Sequence, residues 1–294
     1  MQLGKVALVG VGLLGGSLGL ALRERRLAQQ VTGFARRDQT LLDCRSRGAV
    51  DLATRNLAEA VTDADLVVLC TPVSQMGALL QDCLPHLQPG ALVTDVGSVK
   101  GSVVAELEPL CAGSKVVFVG SHPMAGSEKT GVLAARADLF DGACCVITPT
   151  PRTPPAALAA LRGLWEAVGA QVVELTPARH DDLVGRCSHL PHIVAATLAR
   201  YVLSPAHAPE QAALCATGFR DTTRIASGSP EMWRDIVLAN RRALTRALDV
   251  YIEDLAEFRE LLAAGNPTAL EEFLREAKSR RDAWCRDHTS GTGD

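Results

Sequence analysis

The feature that most constrains this chain is a glycine-rich turn between a short apolar strand and an apolar helix. Gly10, Gly12 and Gly15 follow the run KVALV with the spacing G-x-G-x-x-G. The first glycine permits a tight turn, the second lets the backbone approach a pyrophosphate, and the third allows close packing of helix on strand. Because the N–H groups at the start of a helix attract anions, this turn predicts a dinucleotide site. The residues expected to contact the dinucleotide here are Gly10, Gly12, Leu13, Leu14 and Gly15.

The alternation of apolar runs and amphipathic runs continues to Thr176 and predicts the fold class. The runs that read as strands are KVALVGV, VTGFAR, DLVVLCTP, ALVTDVGS, KVVFVGSHP, CCVITPT and QVVELT. Near-continuous apolar strands separated by helices indicate a parallel sheet covered on both faces. We predict an α/β protein with an N-terminal Rossmann-type doubly wound parallel sheet over residues 1–176. An all-helical C-terminal dimerisation domain over residues 177–288 and a disordered tail over residues 289–294 are expected to follow.

Helical patterns replace strand patterns after Thr176. The predicted segments are a long one from Pro177 to Leu203 interrupted by Pro191, a shorter one near Pro209 to Thr217, a very long one from Pro230 to Ala264, and a last one from Pro267 to Arg286.

The segment from Pro230 to Ala264 repeats apolar residues every seven positions. The two interleaved series are Val237, Leu244, Tyr251 and Phe258, and Leu248, Leu255 and Leu262. Such a seam packs against another helix. One interpretation is packing inside its own domain. We favour a homodimer, because a helix of about 50 Å, at ~1.5 Å per residue, is long for one small domain.

Composition excludes several classes of function. The 294 residues are 47% hydrophobic and 21% charged with a net charge of -3, which leaves no basic surface for a nucleic-acid backbone. No stretch supplies the roughly 20 uninterrupted apolar residues of a membrane-spanning helix. Nine cysteines without a C-x-x-C pair argue against a disulfide scaffold and fit a reducing compartment. We therefore expect a soluble, cytoplasmic protein with no nucleic-acid or membrane partner.

The end of the second strand bears on the identity of the dinucleotide. NAD enzymes place an acidic residue there to bond the adenosine ribose, whereas this chain has Ala35 followed by Arg36 and Arg37. Without a carboxylate a 2′-phosphate meets no repulsion, and a guanidinium can hold it through two hydrogen bonds. We favour NADP. In the alternative, NAD, the arginines only solvate a helix start that Asp38 caps.

Further strand ends carry residues suited to chemistry, because ligands of open α/β sheets bind beyond the carboxyl ends of the strands. Thr71 and Pro72 follow DLVVLC and are expected to line the dinucleotide site, Ser98 ends ALVTDVGS, and His122 ends KVVFVGS. Since Pro123 disfavours helical geometry at the residue before it, His122 is expected to be extended on the rim of the sheet. A histidine there, with a hydroxyl from a neighbouring strand end, suits proton transfer near a nicotinamide.

The helical half offers imidazole and guanidinium groups for an anionic substrate. They lie in the strings SHLPH, GFRDTTR and SPEMWRD. Each has a simpler interpretation, in which His189 and His192 are satisfied core residues and Arg224 is a charge that flanks a helix.

Five strings, in one order and spanning nearly the whole chain, closely resemble prephenate and arogenate dehydrogenases. They are GVGLLGGSLGLAL, DVGSVKG, GSHPMAGSE, SHLPH and GFRDTTRIASGSPEMWRDI. The resemblance implies a Rossmann domain, a helical dimerisation domain, and an active site in the cleft between them. It also implies a dehydrogenase that oxidatively decarboxylates a cyclohexadienyl acid on the route to tyrosine.

The resemblance assigns roles residue by residue. His122 matches the catalytic histidine that bonds and deprotonates the ring hydroxyl of the substrate, and Ser98 matches the serine that shares this hydroxyl. Arg224 matches an arginine that binds a substrate carboxylate, and His192 matches a second substrate-binding histidine. Glu128 matches a polar residue that lines and gates the site.

Three more residues fall on family positions with less defined roles, and shaping the pocket is the simpler interpretation. They are Trp233, Arg220 and Asp221.

The residue types suit the implied chemistry. Loss of the hydroxyl proton drives a hydride from the same carbon to the nicotinamide, and the resulting ketone accepts the electrons of the departing carboxylate. A general base, a positioned dinucleotide and a carboxylate clamp are sufficient, so no metal is expected. The same groups serve prephenate and arogenate, which leaves that choice open. We expect a monofunctional core without a fused chorismate mutase or a regulatory domain.

Three rival functions stay open from the residues alone. A β-hydroxyacid dehydrogenase of similar architecture would carry a catalytic lysine in a G-x-x-x-K-x-x-x-N string, which the sequence lacks. A non-catalytic NADP sensor would have no need of His122, Ser98 and Arg224 together. Metal-dependent hydrolysis would need a carboxylate second shell at metal-site spacing.

Overall fold

A six-stranded parallel sheet forms the centre of the N-terminal part. The computed structural model describes residues 3–126, 129–208 and 210–288. The strands are β1 Leu3–Val9, β2 Ala28–Phe34, β3 Leu52–Thr54, β4 Leu66–Leu69, β5 Leu92–Asp95 and β6 Val117–Phe118. Their order is β3-β2-β1-β4-β5-β6 and all pairs are parallel. This is the predicted doubly wound, dinucleotide-binding sheet. The sequence pattern does not predict β3, because three residues are too few to show a period.

Helices cover both faces of this sheet. They are α1 Leu13–Glu24, α2 Asp38–Arg47, α3 Leu57–Val61, α4 Val73–Cys83, α5 Gly101–Cys111 and α6 Pro155–Ala167. Along β1, Leu8 belongs to one buried apolar cluster together with Trp165 of α6, and Val9 belongs to the other together with Leu107 of α5. Because successive side chains point to opposite faces, a strand buried on both sides reads as one continuous apolar run.

The strand order places the rim of the sheet where a ligand is expected. The connections run in opposite directions from β1 and β4, which lie side by side. Gly10 follows β1, and Thr71 comes two residues after the end of β4. Ligands of such sheets bind in the crevice at this switch point, beyond the carboxyl ends of the strands.

A second sheet corrects two predictions. The run KVVFVGSHP was predicted as one strand, but it forms β6 and then β7 Gly120–Pro123, which lies in a different sheet. There β7 pairs antiparallel with β8 Cys144–Thr148, and β8 pairs parallel with β9 Gln171–Glu174, so CCVITPT and QVVELT are not in the parallel sheet. The chain changes sheets at Gly120, where an added Cβ would lie 2.6 Å from Thr148 Oγ1. Only glycine allows so close an approach.

The first helical segment after Thr176 is interrupted, but not at Pro191. Helix α7 Pro177–Val184 leads into a π-helical turn, Gly185–His189, and then into α8 Leu190–Val202. Pro191 lies in the first turn of α8. The preceding residues are already helical, so this proline removes an N–H donor at the point where the π-helical turn gives way to α8.

The predicted single helix from Pro230 to Ala264 is wrong. Asn240 separates α11 Pro230–Ala239 from α12 Arg241–Ala264. The side chain of Asn240 turns inward and donates to the backbone oxygen of Asp181 at 2.8 Å. Helix α12 is therefore about 36 Å long at ~1.5 Å per residue, not 50 Å, and Val237 is not part of its apolar seam.

The remaining helical elements are short, apart from the last. They are α9 Glu210–Ala213, α10 Thr217–Thr223, a 3-10 turn Arg224–Ser227, and α13 Pro267–His288. Pro209, where a helix was expected to begin, and the expected tail over residues 289–294 lie outside the described residues.

Two compact units divide the chain after Arg241. The second unit contains the rest of α12 with α13, whose Phe258 and Phe273 rings lie 5.2 Å apart. The predicted boundary after Thr176 stays a prediction. Among the described residues, no helix combines the length and apolar character that a membrane crossing requires.

We predict that Gly19→Ala destabilises the parallel-sheet unit. An added Cβ on α1 would overlap the backbone oxygen of Ala49. Overpacking against backbone costs about 1–3 kcal/mol. Urea unfolding should show this loss. Gly218→Ala in α10 is the control, since an added Cβ there meets nothing within 4 Å. Equal stability of the two variants would contradict the packing described here.

Candidate active site

The glycine turn after β1 has the geometry that a dinucleotide requires. Gly10 has φ +95°, and an added Cβ would lie 2.7 Å from Thr71 Cγ2. An added Cβ at Gly15 would overlap the backbone oxygen of Gly10, so α1 can approach the turn only with glycine there. In contrast, a Cβ at Gly12 would meet nothing within 4 Å. The space in front of Gly12 is therefore open to a ligand.

Two further features fit an anionic pyrophosphate at this turn. Helix α1 begins after Gly12, which has no side chain to cap it, and residues 13–16 include no acid. Its first N–H groups thus present partial positive charge to the open space. Thr71 Oγ1 is buried and has no hydrogen-bond partner among the described residues. The residues present fit the dinucleotide.

The arginines after β2 are exposed. Arg36 Nη2 donates to Gln75 Oε1 on α4 at 2.5 Å. Asp38 is the first residue of α2, not its cap as the NAD alternative assumed, and pairs with Arg55 at 3.2 Å. Arg37 occupies the N-cap position without a side-chain capping bond among the described residues. The two arginines therefore flank the start of α2, as that alternative expected, and the choice between NADP and NAD stays a prediction.

His122 lies inside the protein and not on an open rim. It is the third residue of β7, pairs with Val146, and is 7% exposed. Its Nδ1 lies 2.8 Å from His180 Nε2, and His180 Nδ1 lies 2.8 Å from Asp181 Oδ1. Burial, with the nearby His180 and Lys100, holds the pKa of His122 well below its usual range. At neutral pH the imidazole is uncharged and can accept a proton.

A buried ion pair fixes the loop that carries Ser98. Asp95 and Lys100 are fully buried and form a salt bridge. Lys100 Nζ also donates to the Ser121 backbone oxygen at 2.7 Å, and Asp95 accepts from the N–H groups of Ser121 at 3.2 Å and of Gly97 at 2.8 Å. These bonds attach the loop after β5 to β7 next to His122. Ser98 is half-buried within this loop.

Asn240 holds a third histidine. Its Nδ2 lies 3.1 Å from His189 Nδ1 in addition to its bond with the Asp181 backbone oxygen. Because this amide nitrogen only donates, His189 accepts at Nδ1 and carries its proton on Nε2. Burial lowers the pKa of His189 to about 4, although the nearby Asp181 carboxylate acts in the opposite direction.

His192 and Trp233 form a stacked pair. Their ring centroids are 3.5 Å apart with an interplanar angle of 11°, and burial lowers the pKa of His192. Gly228 packs against this pair, since an added Cβ would lie 2.6 Å from Trp233 Nε1 and 3.2 Å from His192 Cε1. The turn that carries Arg224 ends at Ser227, so it ends beside the pair.

The structure does not bring every predicted residue into one cavity. Arg220 and Arg224 line a cavity of about 420 Å³ whose described lining residues include neither His122 nor His192. The carboxylate clamp at Arg224 therefore stays a prediction. Asp221 lies beside these arginines on α10. Glu128 lies outside the described residues.

Comparison with known proteins decides the family. Two family models match, described as the nucleotide-binding domain of prephenate dehydrogenase over residues 18–174 and its dimerization domain over residues 176–276. The prephenate dehydrogenase of Bacillus subtilis is 35% identical over 280 residues, covering 94% of this chain and 75% of that protein. The chain belongs to the prephenate dehydrogenase family.

Solved structures of this family agree along nearly the whole chain. The prephenate dehydrogenase from A. aeolicus, in complex with hydroxyphenyl propionate and NAD+, superposes with a TM-score of 0.90 at 33% identity, covering 96% of this chain and 99% of that one. The arogenate dehydrogenase of Synechocystis superposes with a TM-score of 0.81 at 35% identity, covering 95% and 99%. The fold class and the family predicted from the sequence are confirmed.

Sequence reasoning missed the residues that support the site of this family member. Asp95 and Lys100 lie within DVGSVKG, which served only as a string of resemblance. His180 and Asp181 stand side by side in ARHDDL, and Asn240 lies inside a segment read as one helix. Three of the bonds join distant residues: Lys100 with Asp181 at 81 positions, His122 with His180 at 58 and His189 with Asn240 at 51, so local spacing carries no signal of these three.

We predict that His189 makes folding pH-dependent. The imidazole binds a proton near pH 6.5 in the unfolded chain but only near pH 4 in the folded one. The unfolded state holds more protons between these values, so the free energy of unfolding falls as the pH drops from 6.5 to 4, by about 3 kcal/mol from this group.

Urea unfolding across this window should show a smaller loss for His189→Asn than for the unaltered protein. Asparagine keeps an acceptor for Asn240 but has no titrating ring. His86→Asn, at an exposed position, is the control and should follow the unaltered protein. Parallel curves for His189→Asn and the unaltered protein would rule out the lowered pKa.

Proposed function

We propose that this protein catalyses the NAD(P)-dependent oxidative decarboxylation of prephenate, arogenate or both in tyrosine biosynthesis. The observation that carries the proposal is a buried, uncharged His122 on the strand that is hydrogen-bonded to the Ser98 loop. The chain also belongs to this family and has the glycine turn after β1, here called the dinucleotide cradle. The A. aeolicus relative binds hydroxyphenyl propionate together with NAD+, which supports an aromatic acid and a nicotinamide side by side.

His122 acts as the base on the ring hydroxyl of the substrate. Nδ1 faces His180, which leaves Nε2 to receive the proton. Ser98 shares the hydroxyl and orients it. When bound, the nicotinamide supplies the two-electron acceptor for the hydride from the same carbon. The ring carboxylate then leaves as carbon dioxide and the ring becomes aromatic, so His122 and Ser98 need only position the hydroxyl and move one proton.

The other predicted residues bind the substrate. The stacked pair His192 and Trp233 forms a rigid wall, because each ring restricts the other. Arg224 clamps a carboxylate, with Arg220 adding positive charge. The support for this clamp is the resemblance and the position of its turn beside His192. The proposed role of Glu128, which lies outside the described residues, rests on the resemblance alone.

NADP is the preferred dinucleotide in this proposal. Gly10, Gly12, Leu13, Leu14 and Gly15 hold the pyrophosphate, and Thr71 and Pro72 line the site from the end of the neighbouring strand β4. No carboxylate stands at Ala35, and Arg36 and Arg37 are exposed next to it. A 2′-phosphate would gain charge-assisted hydrogen bonds from them.

The chain is proposed to act as a homodimer through its C-terminal helices. The matching family model for residues 176–276 is described as a dimerization domain. The second unit also exposes large apolar side chains, which a second copy would cover. They are Val250, Ile252, Leu255, Leu262 and Leu274.

Mixing the unaltered protein with NADP and either prephenate or arogenate should produce reduced nicotinamide. The substitution His122→Asn should lower the kcat of this reaction by about two to four decades. Asparagine keeps a polar group but cannot take the proton. Dinucleotide Kd should stay within about threefold, because His122 is not in the cradle.

His86→Asn is the matched control and should keep full activity, since this histidine is exposed on the surface. No turnover with either substrate and either dinucleotide would instead favour the NADP sensor. Unaltered kcat in His122→Asn would remove this residue from the mechanism.

We also predict that the double variant Arg36→Gln, Arg37→Gln shifts dinucleotide preference toward NAD. Loss of two guanidinium groups should lower kcat/KM for NADP about 10- to 100-fold and leave kcat/KM for NAD nearly unchanged. Arg179→Gln, an exposed arginine on α7, is the control. A preference for NAD in the unaltered protein would overturn the NADP assignment.

A further inference from the structure

We propose that His180 and Asp181 are positioning residues that hold His122 in one tautomer, with its proton on Nδ1 and the Nε2 lone pair directed to the substrate. The inference rests on the proposed function of His122 as the base. It adds two residues to that function.

Asp181 can only accept hydrogen bonds. Its Oδ1 accepts from the Lys100 N–H at 2.7 Å and faces His180 Nδ1 at 2.8 Å, and its Oδ2 accepts from the Gly101 N–H at 2.8 Å. Burial raises the pKa of this carboxyl, but the bonds from His180, Lys100 and Gly101 outweigh it and the pKa is lowered. The group is therefore an ionised carboxylate.

An ionised carboxylate fixes the next two groups in turn. His180 Nδ1 must carry a proton to donate to Asp181, so in a neutral ring His180 Nε2 is an acceptor. His122 Nδ1, 2.8 Å away, must then carry a proton to donate to it. What remains on His122 is the Nε2 lone pair, which is the atom that a base requires. The opposite tautomer of His122 would set two lone pairs against each other.

Packing leaves little freedom to the chain of hydrogen bonds from Asp181 through His180 to His122. His180 is fully buried in the first turn of α7, whose start is capped by Thr176 Oγ1 accepting from the Arg179 N–H at 3.2 Å. The rings of His122 and His180 meet edge to face, with centroids 5.1 Å apart and planes at 70°. Asp181 is held in place by the first turn of α5. Three separate elements thus fix the direction of the proton on His122.

His189 gives an internal reference, because its tautomer is set in the opposite sense. Asn240 Nδ2 donates to His189 Nδ1, which places the proton of His189 on Nε2. Both histidines are buried and both have lowered pKa values. A difference between them therefore reports their hydrogen-bond partners and not burial alone.

The first test is ¹⁵N NMR of the imidazole nitrogens in the unaltered protein, at a pH where both rings are neutral. His122→Asn and His189→Asn assign the signals. We expect a protonated Nδ1 on His122 and a protonated Nε2 on His189. A protonated Nε2 on neutral His122 would overturn the proposal, including the case in which His180 carries protons on both nitrogens.

The second test compares two substitutions of His180. Gln offers an acceptor near the former Nε2, whereas Leu offers none. His180→Leu should lower kcat by about one to two decades, with KM and dinucleotide Kd within about threefold, because an imidazole in the wrong tautomer cannot take the proton. His180→Gln should recover at least about tenfold of this loss.

Equal losses in the two variants would show that His180 only fills space, and would overturn the proposal. If His180→Leu does not fold, the NMR tautomer of the unaltered protein and the kcat of His180→Gln decide. Failure of the proposed function is distinguishable, because full activity of His122→Asn would remove the base and leave the tautomer assignment standing.

Discussion

The carboxylate of Asp181 is the contact on which the rest of the site depends. It accepts hydrogen bonds from the first N–H groups of α5 and faces His180 on its own helix, while its backbone oxygen accepts from Asn240. Helix α5, helix α7 and the break before α12 therefore meet at one residue. A buried carboxylate needs hydrogen bonds to replace those of water, and Asp181 has them from the N–H groups of Lys100 and Gly101 and from His180.

The electrostatic surroundings of His122 keep its imidazole uncharged. The fully buried pair Asp95 and Lys100 attaches the Ser98 loop to β7, and the Lys100 ammonium also lowers the pKa of His122. A buried ion pair is weak evidence for stability, since desolvation offsets its attraction. The role of the pair Asp95 and Lys100 here is to position the Ser98 loop. The imidazole stays uncharged, and the loop that carries the serine is attached to the strand that carries the histidine.

Local sequence patterns predicted the parts of the structure that depend on residues close together in the chain. The glycine spacing, the apolar runs and the end of the strand signals at Thr176 are local, and they gave the parallel sheet, the cradle and the family resemblance. Predictions failed where distant contacts decide. Gly120 begins a strand of a second sheet, where Thr148 lies against it, and Asn240 interrupts a helical pattern because its side chain bonds the backbone of Asp181. The roles of His180 and Asp181 depend on residues 58 and 81 positions away, so no spacing rule reveals them.

The role of His122 is best tested by a crystal structure of the protein with oxidised dinucleotide and a hydroxylated, cyclohexadienyl-like acid. We expect the ring hydroxyl to lie about 2.6–3.2 Å from His122 Nε2, with Ser98 on the same hydroxyl and the nicotinamide against the hydroxyl-bearing carbon. A ligand bound with its hydroxyl away from His122 Nε2, or with a carboxylate in that position, would show that His122 is not the base.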